Sequence, residues 1–77
     1  MDRVQAFTRR PSNEELLLLY GLFKQATEGD NEGTRPTGFD FKAMAKFDAW
    51  TNQKGKSRED AQREYISLVD DLQQRYA

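Results

Sequence analysis

The sequence predicts an all-α fold, a small bundle of four helices with a short first helix. Three observations carry this. Apolar residues recur at helical spacing through three long stretches, residues 12–27, 40–54 and 57–76. Serine caps open two of them. Between the first and second long stretches, residues 29–40 hold three glycines and a proline, the composition of a loop.

Residues 1–8 form the short first helix in this reading, with Val4 and Phe7 spaced i, i+3. Two turns are marginal alone and must dock on the rest. Arg9, Arg10 and Pro11 end it. Ser12 then caps the next helix, and Glu15 three residues on completes a capping box. That helix runs to about Thr27, with Gly29 in the left-handed position after it.

The leucine run of this helix poses a question. Leu18, Leu19, Leu22, Phe23 and Ala26 fall on one side, and Leu16, Leu17, Tyr20 and Lys24 on an adjacent side. Glu14, Gly21, Gln25 and Glu28 fill the remaining arc and suit water. A surface helix buries one stripe, so something must cover the second. Another helix is one answer. An apolar ligand with a polar head is the other, because the stripe carries a hydroxyl and an ammonium one turn apart.

The loop at residues 29–40 could stretch to roughly 40 Å, far more than an antiparallel neighbour needs. It reads as a long crossover along the bundle, and Arg35 and Phe39 argue that it is packed. The next helix, residues 40–54, closes at Gly55. It places Ala43, Phe47 and Trp50 on one face and Lys42, Lys46 and Ala49 on the next. Ser57 caps the last helix, with Glu59 and Asp60 in its first turn. There Ala61, Tyr65, Leu68, Val69, Leu72 and Tyr76 form a continuous stripe, while Arg63, Asp70, Asp71 and Gln74 face water.

Composition narrows the function. The 77 residues include no cysteine and no histidine, which removes disulfides, thiolate chemistry and the usual general base. A formal net charge of −1 lacks the basic excess of a nucleic-acid binder. No run approaches the ~18 apolar residues of a membrane span, so stable membrane insertion is not expected. The opening MDRVQAFTRR lacks the apolar segment of a signal peptide, which makes the cytosol the expected address. No nucleotide-loop, nucleophile-elbow, zinc-protease or EF-hand pattern occurs. Ser12 and Ser57 are explained as caps, so no catalytic residue is assigned, and no cofactor or metal site.

Binding is better supported than catalysis. Tyr20 and Lys24 are i, i+4, as are Lys42 and Lys46 with no acid between them. Ammonium groups bind phosphates as point charges, and tyrosine adds a hydroxyl and a flat face for a base. If the helices converge, Tyr20, Lys24, Lys42, Lys46 and Tyr65 would build a polyphosphate and base site beside a leucine-lined groove. Spacing alone leaves open whether each lysine is instead a solvated surface residue and Tyr65 a core residue.

These residues also carry a resemblance. Residues 20–30, YGLFKQATEGD, resemble the YxxYKQATxGD motif of the acyl-CoA-binding proteins. The likeness continues through Arg35-Pro36, Asp40-Phe41 and residues 45–50, AKFDAW, similar to the family's AKWDAW. Gly55, Ser57, Glu59-Asp60-Ala61 and Tyr65 resemble its GxSxEDAxxxY. Together these motifs span residues 11–76 in one order.

The resemblance implies an up-down-down-up four-helix bundle that binds long-chain acyl-CoA thioesters without chemistry, as a monomeric single domain over residues 1–77. By position, Tyr20, Lys24 and Lys46 match contacts to the phosphorylated ribose, Tyr65 the residue against the adenine, and Lys42 another head-group contact. Leu16 and Leu17 match the groove wall. Phe23 stands where the family prefers tyrosine, and Phe47 replaces a tryptophan. The family's first helix is longer by about two turns and carries a lysine towards the ligand where Gln5 falls here. The expected function is therefore an intracellular acyl-CoA carrier and pool buffer. Its rival is a helical interaction module whose grooves bind a partner protein.

Overall fold

The computed structural model describes residues 10–76, which form three α-helices: α1 (Asn13–Glu28), α2 (Phe41–Thr51) and α3 (Arg58–Tyr76). The expected short helix at residues 1–8, with Gln5, lies outside the described residues.

The predicted caps are present. The Ser12 hydroxyl accepts from the Glu15 amide at 3.1 Å, and the Glu15 carboxylate accepts from the Ser12 amide at 2.9 Å. These bonds satisfy two of the donors that a helix start leaves unpaired. Asp40 caps α2 by accepting from the Ala43 amide, and Ser57 caps α3 by accepting from the Asp60 amide, each at 3.0 Å.

Helix α1 lies in the middle, packed on α2 along one side and on α3 along the other, while α2 and α3 do not pack together. Contacts along α1 fix the directions. Tyr20, Gly21 and Lys24 meet Lys46, Ala49 and Trp50 in ascending order, so α1 and α2 run parallel. Glu15, Phe23 and Ala26 meet Tyr76, Tyr65 and Gln62 in descending order, so α1 and α3 run antiparallel. The loop between Glu28 and Phe41 therefore returns the chain along the length of α1, as its length predicts. Leu22, Ala26, Ala49, Ala61 and Leu72 are the buried apolar residues.

Two residues assigned to the water-facing arc of α1 are buried instead. Gly21 sits against the backbone of α2, where a Cβ would overlap the Ala49 carbonyl oxygen and stand 2.8 Å from its carbon. The position needs glycine because two backbones meet there. Gln25 is only 1% exposed. Its amide donates to Asp30 Oδ1 at 2.8 Å and to the Lys56 carbonyl at 2.7 Å. Asp30 also accepts from the Gly55 amide at 2.9 Å. A polar side chain is buried here because its amide nitrogen ties the turn before α3 to the loop after α1, while its Oε1 has no hydrogen-bond partner among the described residues.

Other boundaries shift slightly. Helix α2 ends at Thr51, with Asn52–Gly55 forming turns. Gly29 has positive φ but ψ of −154°, so it leaves α1 in an extended mirror conformation and not in the left-handed helical one. Within the crossover, Arg35 grips Asp48 with two bonds of 3.0 and 2.9 Å. Buried Asn31 donates to Thr51 Oγ1 at 3.1 Å and accepts from the Gly33 amide at 3.0 Å. Polar bonds hold this loop. Phe39, expected to pack it, is 92% exposed.

Candidate functional site

The parallel packing of α1 and α2 sets their starts side by side and leaves a cleft between them. Asn13, Leu16, Leu17 and Tyr20 come from α1, Lys42, Ala45 and Lys46 from α2, and Arg10 from the segment before α1. The cleft measures ≈ 530 Å³, within the usual range for small-molecule sites. Two leucines and an alanine supply apolar wall. Three cations and a phenol stand beside them.

The cations differ in their engagements. Lys46 Nζ lies 5.4 Å from the centre of the Tyr20 ring, a cation–π distance. Lys24, one turn further along α1, lies 4.8 Å from the Trp50 ring and pairs with Glu28. That carboxylate raises the Lys24 pKa above its ordinary 10.5, so the ammonium stays charged. Trp50 is itself fixed, its indole N–H donating to the Gly29 carbonyl at 2.8 Å. Among the described residues Arg10, Lys42 and Lys46 hold no carboxylate. Among the described residues the cleft thus carries positive charge that no carboxylate pairs, in a chain whose net charge is slightly negative.

Leu16, Leu17, Tyr20, Lys42 and Lys46 therefore meet in one cleft. Phe23 and Tyr65 pair separately, across α1 and α3, with ring centres 6.1 Å apart and planes tilted by 52°. Phe23 and Lys24 are consecutive on α1 and turn to different helices, Phe23 to Tyr65 of α3 and Lys24 to Trp50 of α2. Sequence reasoning missed Arg10, Asn13, Ala45 and Trp50. Arg10 and Asn13 read as a helix stop and a first-turn residue. Trp50 was placed on the face with Ala43 and Phe47, although its place one turn after Lys46 was available as a signal. Among the described residues no group of three or more acidic side chains converges as a metal site would require.

The arrangement suits a ligand with an apolar body and an anionic, aromatic head. Comparison with known proteins agrees with it. The family profile described as Acyl CoA binding protein matches residues 1–69. The chain belongs to the acyl-CoA-binding protein family. It is 51% identical over 76 residues to an acyl-CoA-binding protein homolog of Drosophila melanogaster, covering 99% of this chain and 88% of that one. It is also 51% identical over 74 residues to the acyl-CoA-binding protein of Saccharomyces cerevisiae, covering 96% and 85%. The crystal structure of Oryza sativa acyl-CoA-binding protein 2 superposes with a TM-score of 0.82 at 48% identity, over 84% of this chain and 72% of that one. The all-α fold expected from the sequence is thus the fold of the family.

Proposed function

We propose that this protein is an acyl-CoA carrier and pool buffer that binds long-chain acyl-CoA thioesters non-covalently in the cleft between α1 and α2. One observation carries the reading: Leu16, Leu17 and Ala45 line the same cleft as Arg10, Lys42 and Lys46, which hold no carboxylate among the described residues. Family membership and the names of the relatives support it.

In this reading the acyl chain lies along Leu16 and Leu17, and the head group extends towards the outer face of α1. Tyr20, Lys24 and Lys46 receive the phosphorylated ribose, Lys42 another phosphate, and Tyr65 with Phe23 the adenine. Phe23 supplies a ring face and no hydroxyl. Mechanism is sequestration. Each methylene leaving water contributes about 0.8 kcal/mol, so a dozen supply roughly 10 kcal/mol before association entropy is subtracted. The acyl chain dominates affinity, and the lysines select the head group. No bond is made or broken, and the protein is not an enzyme.

The chain acts as one acyl-CoA-binding domain and as a monomer, in the cytoplasm, with no nucleic-acid partner. No helix among the described residues is long and apolar enough to cross a membrane, so contact with lipid is through the ligand or at a surface. Calorimetric titration with an acyl-CoA series tests the reading. Affinity rises with acyl length, and free CoA and free fatty acid bind far more weakly than the ester. Equal affinity for free CoA and the long-chain ester rules the groove out.

A further inference from the structure

The proposed function absorbs the cleft but leaves one feature unused. At the tip where the crossover enters α2, two phenyl rings stand in water. Phe39 is 92% exposed and Phe41 68% exposed. They meet edge-on, with centroids 6.5 Å apart. The tip is a built feature. The Phe41 amide donates to the Phe39 carbonyl at 3.0 Å, and the Asp40 carboxylate between them is occupied in capping α2. It also projects clear of the fold. A Cβ placed on neighbouring Gly38 would meet nothing within 4 Å.

We propose that the Phe39–Phe41 tip docks on an anionic lipid surface and holds the leucine end of the cleft against it. Exposed aromatic rings beside cations form the composition that enters the headgroup boundary of a bilayer. The cations are in place. Lys42 follows Phe41 directly and lines the cleft with Arg10 and Lys46, none of which holds a carboxylate among the described residues. Anionic headgroups would supply the missing countercharge. A protein partner fits the tip less well, because a projecting pair of rings offers no concave wall for a second chain to fill.

Position gives the docking a purpose, and this part rests on the proposed function. Because α1 and α2 are parallel, the tip lies at the end of the cleft near Arg10 and Asn13, remote from Lys24 and Trp50. An acyl chain drawn from the bilayer would pass from lipid to Leu16 and Leu17 without crossing much water. The tip would then set the rate of loading from membranes and leave equilibrium affinity in solution unchanged.

The test is co-sedimentation of the protein with phosphatidylcholine vesicles, with and without phosphatidylserine, in the absence of acyl-CoA. Binding is expected only with phosphatidylserine, falling as salt rises. The double variant F39S/F41S should lose it by about tenfold or more, from the apolar area withdrawn. Its thermal midpoint and its solution affinity for a medium-chain acyl-CoA should match the parent, since both rings lie outside the core and the cleft. In a second arm, F39W should show a blue shift of emission on adding phosphatidylserine vesicles beyond that of the parent, whose Trp50 reports the background. Absence of binding by the parent, or equal binding by parent and double variant, overturns the proposal. So does a parent that dimerises through these rings in gel filtration, with the variant monomeric. A parent that binds vesicles but not acyl-CoA upholds the tip and overturns the proposed function, so the two fail separately.

Discussion

Gly21 of α1 lies against the Ala49 carbonyl of α2 so closely that no side chain fits between them. This approach brings the two parallel helices together and sets the width of the cleft beside them. Gly21→Ala would gain helix propensity of up to about 1 kcal/mol. It must also push backbone against backbone, which cannot yield as a flexible side chain does. The expected net outcome is a loss of about 1–3 kcal/mol, the range for overpacking a tight interface. Urea unfolding measures it, and acyl-CoA affinity should fall alongside.

Lys46 stands over Tyr20 in the cleft, with no carboxylate partner among the described residues. Lys46→Ala should weaken acyl-CoA binding by about 1.5–3 kcal/mol, as expected for a lost hydrogen bond to a charged group. Stability should barely change. Lys56→Ala is the control, because Lys56 pairs with Glu64 beside a different groove, one it lines with Leu18 and Leu68. Calorimetry should separate the two variants clearly, and equal losses would remove Lys46 from the site.

Glu28 competes with the proposed ligand for Lys24. Its carboxylate pairs with that ammonium and would stand near an incoming phosphate. Glu28→Gln should therefore tighten acyl-CoA binding modestly, most at low salt, where exposed charges are least screened. Weaker binding by this variant would mean that the Glu28 pair holds Lys24 in place for the ligand.

Acid should unfold the protein through its paired carboxylates. The Ser12 amide, the Tyr76 hydroxyl and Arg75 lower the Glu15 pKa from 4.5 to about 2. The Gly55 amide and Gln25 lower Asp30, and Arg35 lowers Asp48, each from an ordinary 3.8. A depressed folded-state value gives stability that is full above the unfolded-state pKa and lost as pH falls through the folded one. The thermal midpoint should accordingly be flat near neutrality with respect to these groups and decline from about pH 4.5 towards pH 2. Glu15→Gln should flatten part of that decline.

Much of this was legible in the sequence, for local reasons. The Ser12 and Ser57 caps depend on residues three apart, and the structure has both bonds. The stripe on α3 follows from helical period, and Ala61 and Leu72 are buried as it requires. The crossover followed from loop length. What was not legible depended on distant partners. Gln25 reads as a solvent residue until Asp30 and the Lys56 carbonyl arrive beside it. Gly21 reads as a weak helix former until Ala49 abuts it. In the candidate site, i, i+4 spacing gave the Tyr20–Lys24 and Lys42–Lys46 pairs. Only the parallel docking of α1 and α2 brings Lys42 and Lys46 to Leu16, Leu17 and Tyr20. Phe39 erred the other way, since a bulky apolar residue in a loop was expected to be covered.

The central claim is that acyl-CoA occupies the cleft between α1 and α2, and amide chemical-shift mapping tests it most directly. With one equivalent of a long-chain acyl-CoA, the largest shifts should fall on Leu16, Leu17, Tyr20, Lys42, Ala45 and Lys46, with Tyr65 and Lys24 marking the head group. Free CoA at high concentration should move Tyr65 and Lys24 and leave Leu16 and Leu17 in place. Largest shifts at Leu18, Gln53, Leu68 and Asp71, which line a separate groove beside α3, would contradict the account.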